Sequence, residues 1–297
     1  MNLLARPVFS IDFEDWYQGI EFEPADWPRF ERRIRIGAEA LLRLLEQFNV
    51  KATWFVLGAV AEEHPDLVAQ IAEAGHEIGT HGMFHQKVYD MTPRLFAERL
   101  KCSIEAIEGV TGDRPKGYRA PFFTITRRSL WALPILKDLG IEYDASVFPG
   151  SNWRYGIEGA PDEPFLLRGE GLGDGLVEFP VSTGVVMGKQ LGLGGAYFRI
   201  LPYHLTKGFI RARRAAGKYT GFYGHPWELD PRHPVVRFRW KAMATHYFGL
   251  GFTLPRLRKL FRDFAFVAYE DWFGDLDPDM LPGHEFTASS DRPQVDR

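Results

Sequence analysis

A single cysteine in 297 residues, Cys102, leaves no internal disulfide and no zinc site built on thiolates. It falls in an amphipathic helical run, which predicts a buried, inert thiol. No apolar stretch approaches the ~20 residues of a membrane span. The opening MNLLARPVFSIDFEDW has no run suited to a signal peptide, so a cytoplasmic protein is expected. An excess of positive charge is also missing: 36 Lys and Arg face 39 Asp and Glu, a net −3. That argues against a globally basic nucleic-acid binder, and no nucleic-acid partner is expected. We find no internal repeat. What is present is ordinary globular composition, 45% hydrophobic, 14% aromatic and 25% charged, in a chain long enough for one large core. The charge is uneven. Residues 205–262 carry 13 Lys and Arg against only Glu228 and Asp230, a net +11 that leaves −14 for the rest.

Strand-like and helix-like segments alternate. Strands are expected at Pro7–Phe13, Lys51–Leu57, His76–His81, Lys116–Arg119, Ile141–Ser146, Leu176–Thr183 and Tyr219–Gly224. Helices are expected at Ile34–Phe48, at Pro65–Ala74 before Gly75, from Thr92-Pro93 to about Val110, from a Thr126 cap to Leu139, and at Leu201–Ala216. Some seven βα steps imply an α/β protein with a parallel sheet, best accommodated as a closed or nearly closed barrel whose functional residues lie where strands end. After Trp227 the pattern becomes basic and aromatic over Asp230–Phe264, then strand-like over Ala265–Tyr269. Leu281–Arg297 is polar and aperiodic, as in a loose tail.

Four strings carry chemistry. In His76-Glu-Ile-Gly-Thr-His81-Gly-Met-Phe-His85, the His81–His85 spacing suits two imidazoles on one metal with a carboxylate as third ligand, although two unrelated histidines would look the same. In Ser10-Ile-Asp12-Phe-Glu14-Asp15-Trp16, acids end an apolar strand; Asp12 and Glu14 share a face, so one could ligate a cation while the other acts as a base. Solvated acids past a strand end are the plainer alternative. Gly117-Tyr-Arg119-Ala-Pro121-Phe122 ends a strand with an Arg able to grip a carboxylate, or simply a surface Arg. Gly224-His225-Pro-Trp-Glu228 offers a general acid or a structural histidine.

Taken in chain order, these strings resemble the polysaccharide deacetylase family (NodB-homology, carbohydrate esterase type). HEIGTHGMFH, GYRAPFF and YDAS look close to its Asp-x-Asp/Glu branch. SIDFEDW, GHPWELD and THYFGL…TLPRLRKLF look similar to a subfamily associated with exopolysaccharide loci of the PEP-CTERM/exosortase type. The resemblance spans about Val8 to Trp272. It implies a distorted (β/α)7-type barrel over residues 1–228, a C-terminal helical and basic extension over 229–280 packed on it, and a polar tail over 281–297.

The resemblance further implies a divalent metal, zinc, on His81, His85 and a strand-one carboxylate. That carboxylate is Glu14, with Asp15 as runner-up. Asp12 would be the base, Arg119 would orient it, and His225 would protonate the departing amine. The backbone N–H of Phe122 would face the oxyanion. The family often pairs its catalytic His with an Asp in an Asp-x-x-Asp-Trp motif; this chain has none, and Glu178 or Glu228 would have to substitute. Asp144 and Ser146 would support the site. Trp227 would be a sugar platform, whereas Trp153 is expected in the core. The expected substrate is an N-acetylated glycan or its precursor, a lipid-linked one included. By its charge alone, the basic segment, through Arg211, Arg213, Arg214, Arg256, Arg258 and Lys259, suits an acidic glycan, a pyrophosphate-linked carrier or an anionic membrane surface, the last making the protein membrane-peripheral; a merely solvated helical face is the plainer alternative. Two alternatives are an allantoinase-like amidase on a small metabolite and a catalytically weak carbohydrate-binding component of a polysaccharide assembly system.

Overall fold

The first strand, β1 (Val8–Phe13), is buried along its whole length, as expected for an interior strand of a parallel sheet covered on both faces. Its side chains alternate between two environments. Phe9, Ile11 and Phe13 enter the core under the helices. Val8, Ser10 and Asp12 point the other way, into the barrel, where Val8 joins Phe55, Tyr143, Phe179, Tyr219 and Tyr269. The computed structural model describes residues 6–152, 154–237 and 240–287.

The remaining strands are β2 (Thr53–Val56), β3 (Glu77–Thr80), β4 (Gly117–Tyr118), β5 (Tyr143–Asp144), β6 (Phe165–Arg168), β7 (Leu176–Glu178), β8 (Thr183–Val186), β9 (Lys189–Gly192), β10 (Gly221–Gly224) and β11 (Gly283–Glu285). The helices are α1 (Ile34–Gln47), α2 (Gly58–Glu63), α3 (Pro65–Glu73), α4 (Pro93–Thr111), α5 (Ala132–Asp138), α6 (Gly195–Ile200), α7 (Tyr203–Ala215), α8 (Trp240–Tyr247), α9 (Thr253–Asp263) and α10 (Tyr269–Asp275). The main sheet runs β10-β1-β2-β3-β4-β5-β7-β6-β11. Its first seven strands are parallel. Irregular chain spans the gap between β7 and β10: Leu193 N–H donates to Ser182 O, and Tyr223 N–H to Leu193 O. The result is the distorted α/β barrel expected from the alternation.

Most predicted elements fall within a residue or two of those observed, and Thr92 caps α4 through Leu95 N–H at 3.2 Å. Several do not. Thr126 does not open a helix: its N–H donates to Ser129 Oγ at 2.9 Å, closing a local turn, and α5 begins at Ala132. Leu176–Thr183 is not one strand. Pro180 interrupts it, and Thr183 starts a separate hairpin turned by Met187 and Gly188, both at positive φ. Ala265–Tyr269 makes only a single bridge, Val8 to Val267, before α10 starts at Tyr269. The tail expected from Leu281 includes β11, which pairs with β6 at the sheet edge. Cys102 is exposed rather than buried. The buried stripe of α4 is Phe96, Leu100, Ser103, Ile104 and Ile107, and position 102 lies off it. Trp153 lies outside the described residues.

The extension over 229–280 is integral to the core. Leu257, Leu260, Phe261, Phe264 and Phe266 pack with β1 and α1, and Val267, Tyr269 and Trp272 fill the barrel interior. The Tyr269 hydroxyl reaches Arg119 at 3.1 Å.

Candidate active site

Beyond the ends of β1, β3, β4 and β10 lies a cleft of about 520 Å³, lined among others by Asp12, Glu14, His85, Phe122, His225 and Trp227. β1 delivers Asp12, and the chain then turns sharply, Glu14 N–H donating to Asp12 O. β3 delivers His81. Four residues on, His85 sits in the left-handed region at φ 50°. β4 delivers Arg119, and β10 delivers His225.

One ligand atom from each of Glu14, His81 and His85 can be chosen so that all lie within 4.8 Å of one another, a set able to hold a metal ion. The donors fit. His81 Nδ1 is 2.8 Å from the carbonyl oxygen of Arg119; a carbonyl only accepts, so that nitrogen carries the proton and Nε2 keeps its lone pair for a ligand role. Burial pushes the His81 pKa down to about 4, so the ring is neutral. Glu14 Oε2 lies 2.6 Å from His85 Nε2, yet it is a buried oxygen with no hydrogen-bond donor. A cation is the natural partner for such an atom. Burial tends to raise the Glu14 pKa, but the surrounding imidazoles, His85 foremost, together outweigh it and hold the carboxyl at about 2. Its other oxygen accepts from Trp227 Nε1 at 3.1 Å.

Asp15, the runner-up ligand, is occupied elsewhere. Its carboxylate accepts from the backbone N–H groups of Trp16, Arg33 and Ile34, the last two at 2.7 and 3.0 Å, and so caps the start of α1. Burial raises its pKa to about 6.

Arg119 is 2% exposed and is no surface arginine. Nη1 donates to Asp12 Oδ1 and to Ser10 Oγ, both at 2.8 Å, and Nε donates to Ala145 O at 3.1 Å. Its guanidinium lies 4.3 Å from the Phe55 ring centroid. Burial would raise the Asp12 pKa; the neighbouring positive charge, that of Arg119 first and then that of His225, more than offsets it and holds the carboxyl below its ordinary value. Ser146 Oγ accepts from Ala120 N–H at 2.7 Å and donates to Asp144 Oδ1, pinning the loop that carries Arg119 and Phe122. Phe122 has φ 54° and ψ 21°. Its ring meets His85 edge-on at 4.4 Å.

His225 Nε2 lies 3.8 Å from Asp12 Oδ2 and 3.9 Å from Glu14 Oε1. Nδ1 is 3.3 Å from Glu228 Oε2, an ion-pair distance without good hydrogen-bond geometry. Burial works against a charged imidazole, but Glu228, Glu14 and Asp12 together raise its pKa to about 9. Glu228 is thus the carboxylate beside this histidine. Glu178 instead forms a buried pair with Asp144, each pushed upward by burial, Asp144 to about 6.

The expected sugar platform at Trp227 is corrected. The indole is 7% exposed; it stacks on His225 at 5.1 Å and on His246 at 4.2 Å, with the Arg199 guanidinium 5.4 Å from its ring. Little of its face is left for a sugar. The half-buried Phe and Tyr side chains on the cleft are Phe22, Phe122, Tyr155, Tyr197 and Tyr223. Sequence reasoning missed the three tyrosines and Arg199, which have no motif. Glu228 was visible, three residues after His225.

Residues 29–143 match the family described as polysaccharide deacetylase, and residues 145–274 match a domain of unknown function, DUF3473. A peptidoglycan deacetylase of Helicobacter pylori is 31% identical over 180 residues, which is 55% of this chain and 59% of that protein. Among solved structures, one from Mycobacterium smegmatis assigned to the polysaccharide deacetylases superposes with a TM-score of 0.63 at 21% identity, covering 98% of this chain and 96% of that one. An allantoinase superposes with a TM-score of 0.57 at 17% identity, covering 91% and 90%; it shares the fold. Over residues 29–143 the chain is similar to the polysaccharide deacetylase family. The match spans under two thirds of the Helicobacter pylori relative's length.

Proposed function

We propose that this protein is a metal-dependent hydrolase that removes N-acetyl groups from amino sugars of a polysaccharide or its precursor. The observation that carries the reading is the convergence, in one cleft, of the Glu14–His81–His85 set, the Arg119-held Asp12 and the Glu228-backed His225. Relatives named as peptidoglycan deacetylases support the substrate class.

A divalent ion, zinc in this proposal, would polarise the N-acetyl carbonyl and acidify a water molecule. Asp12, kept ionised by Arg119, takes the proton from that water at Oδ2, the oxygen not engaged by Arg119 Nη1. The Phe122 N–H is a donor for the developing oxyanion. His225, protonated at neutral pH, gives the Nε2 proton to the leaving amine, with Glu228 behind Nδ1. Acetate and a free amino sugar result. Phe122, Tyr155, Tyr197 and Tyr223 offer apolar faces to the sugar ring.

Within this proposal the glycan is an exopolysaccharide precursor, met by a cytoplasmic enzyme at an anionic membrane face. No helix among the described residues is long and apolar enough to cross a membrane. The basic segment supports such a surface in part. Arg211, Arg214, Arg258 and Lys259 are exposed. Arg213 is buried against Tyr219 O, Asp162 and Glu163, and Arg256 donates to the carbonyls of Phe198, Arg199 and Leu201. These two serve the fold.

The test is metal analysis with acetate release on N-acetylhexosamine oligomers and on nucleotide- and lipid-linked precursors. One bound divalent ion per chain and metal-dependent acetate release are expected, both lost in His81→Ala. Full acetate release after exhaustive chelation would overturn the proposal.

A further inference from the structure

We propose that Arg199 is a positioning residue for the proton donor, acting on His225 through Glu228 and tying the donor to the cleft wall formed by α8. This rests on the role given above to His225.

Arg199 is 1% exposed, in α6. Nε donates to Glu228 Oε1 at 2.7 Å. The rest of the guanidinium collects carbonyls at the end of α8: Nη2 donates to Thr245 O at 2.9 Å, and Nη1 to His246 O at 3.0 Å and to Phe248 O. Terminal helix carbonyls have no partner within their own helix. Glu228 spends its other oxygen on His225, accepting its backbone N–H at 3.0 Å and facing Nδ1 at 3.3 Å. The planar fork of arginine suits such divided duty, and lysine could not reproduce it.

Arg199 is itself anchored. α6 starts at Gly194 and Gly195, where a bridge joins Gly194 to Tyr223 of β10. A Cβ on Gly194 would stand 2.1 Å from Tyr223 O, so only glycine permits this approach. The helix bearing Arg199 therefore leans on the strand that ends at His225. Ala242, Thr245 and His246 of α8 line the cleft together with Tyr197 of α6. One guanidinium thus fixes the carboxylate that orients the imidazole and, by its other edge, the wall against which a substrate would rest. Without it the Glu228 carboxylate can rotate, and the Nε2 that must meet the leaving nitrogen is no longer aimed.

The experiment compares the divalent-loaded wild type with Arg199→Met and with the double variant Arg199→Met/Glu228→Gln, which removes the buried pair without stranding a charge. Two substrates are used: an N-acetylglucosamine oligomer, whose amine must be protonated to leave, and 4-nitrophenyl acetate, whose phenolate leaves unaided. Lost aim predicts a fall of about 10²-fold in kcat on the amide, with KM within a few-fold, turnover of the ester near wild type, and unchanged metal content. An equal fall on both substrates, or no fall on the amide, overturns the proposal. A second readout does not depend on turnover. In spectra of 15N-histidine-labelled protein, the His225 ring signals, assigned by their loss in His225→Gln, should move in both variants while those of His81 and His85 stay. Unmoved His225 signals overturn the coupling. A wild type that releases no acetate while its His225 signals respond to Arg199→Met refutes the hydrolase reading and leaves the coupling standing.

Discussion

Gly37→Ala should uncouple the acid from the rest of the site without touching any polar group in it. α1 lies against the Pro226–Leu229 turn, the segment directly after His225. A Cβ on Gly37 would stand 2.0 Å from Pro226 O and 2.4 Å from its carbonyl carbon, both backbone atoms that no rotamer change can remove. Ordinary contact distances between carbons are roughly 3.5–4 Å, so helix and turn must part by at least about 1 Å. α1 cannot easily retreat, because Ile34, Ala38, Leu41 and Leu45 are locked in the core. The turn must move instead and carry His225 with it. Alanine favours a helix by up to about 1 kcal/mol over glycine, whereas overpacking costs about 1–3 kcal/mol. A net loss of about 1–2 kcal/mol is expected, read as a drop of a few degrees in Tm. A shift of about 1 Å in His225 relative to Asp12 should cost about 10²-fold in acetate release. Metal should still bind, since His81 and His85 lie on other loops, but more weakly, because Trp227 of the moving turn donates to Glu14. Gly208→Ala in α7 is the control: nothing lies within 4 Å of its added Cβ, and it should gain up to about 1 kcal/mol with unchanged activity. If Gly37→Ala behaves like Gly208→Ala in both assays, the reasoning about this contact is wrong.

Glu14→Gln should weaken metal binding, measured by metal analysis after dialysis, whereas Asp15→Asn should leave the site loaded and lower Tm by removing the α1 cap; the reverse pattern would assign the ligand to Asp15. The Asp144–Glu178 pair makes stability depend on pH. Burial raises both pKa values in the fold, so the stability it contributes is complete below about pH 4 and is lost as pH rises through about 6. Glu178→Gln keeps a neutral partner for Asp144 and should therefore gain on wild type in denaturant unfolding between pH 5 and pH 8; a constant difference across that range would count against the shared proton. Co-sedimentation should show binding to anionic but not neutral vesicles, lost at high salt and lost when Arg211, Arg214, Arg258 and Lys259 are neutralised, but unaffected by Lys189→Ala.

The βα alternation and the positions of Asp12, His81, His85, Arg119 and His225 were legible because each is a local pattern: an apolar run, then a chemistry-bearing residue where it stops. What escaped depends on distant partners. Thr126 reads as a helix cap, yet its Oγ1 accepts from Arg128 N–H within a local turn, and the helix starts only at Ala132. Trp227 reads as a platform, but His246, from a helix formed later in the chain, takes up its ring. Arg199 lies in GAYFRI, which has no chemical signature; its role appears only when Glu228 and the end of α8 are brought to it. Cys102 sits in an amphipathic run yet is exposed, because its helix buries a stripe of which position 102 is not a part.

β1 lies between β2 and β10, the second strand of the chain and the last of its parallel set. All three candidate metal ligands lie within the first 85 residues, yet Glu14 and Trp227 meet across 213 positions of sequence. Closing so long a loop is slow, and until it closes β1 presents an unpaired, mostly apolar edge over Val8, Phe9, Ser10 and Ile11. Such an edge invites pairing with another chain. The strand that brings His225 is thus also the one that shields this edge, so a chain cut short before β10 should be recovered as aggregate rather than as a soluble protein that binds metal and lacks only its acid.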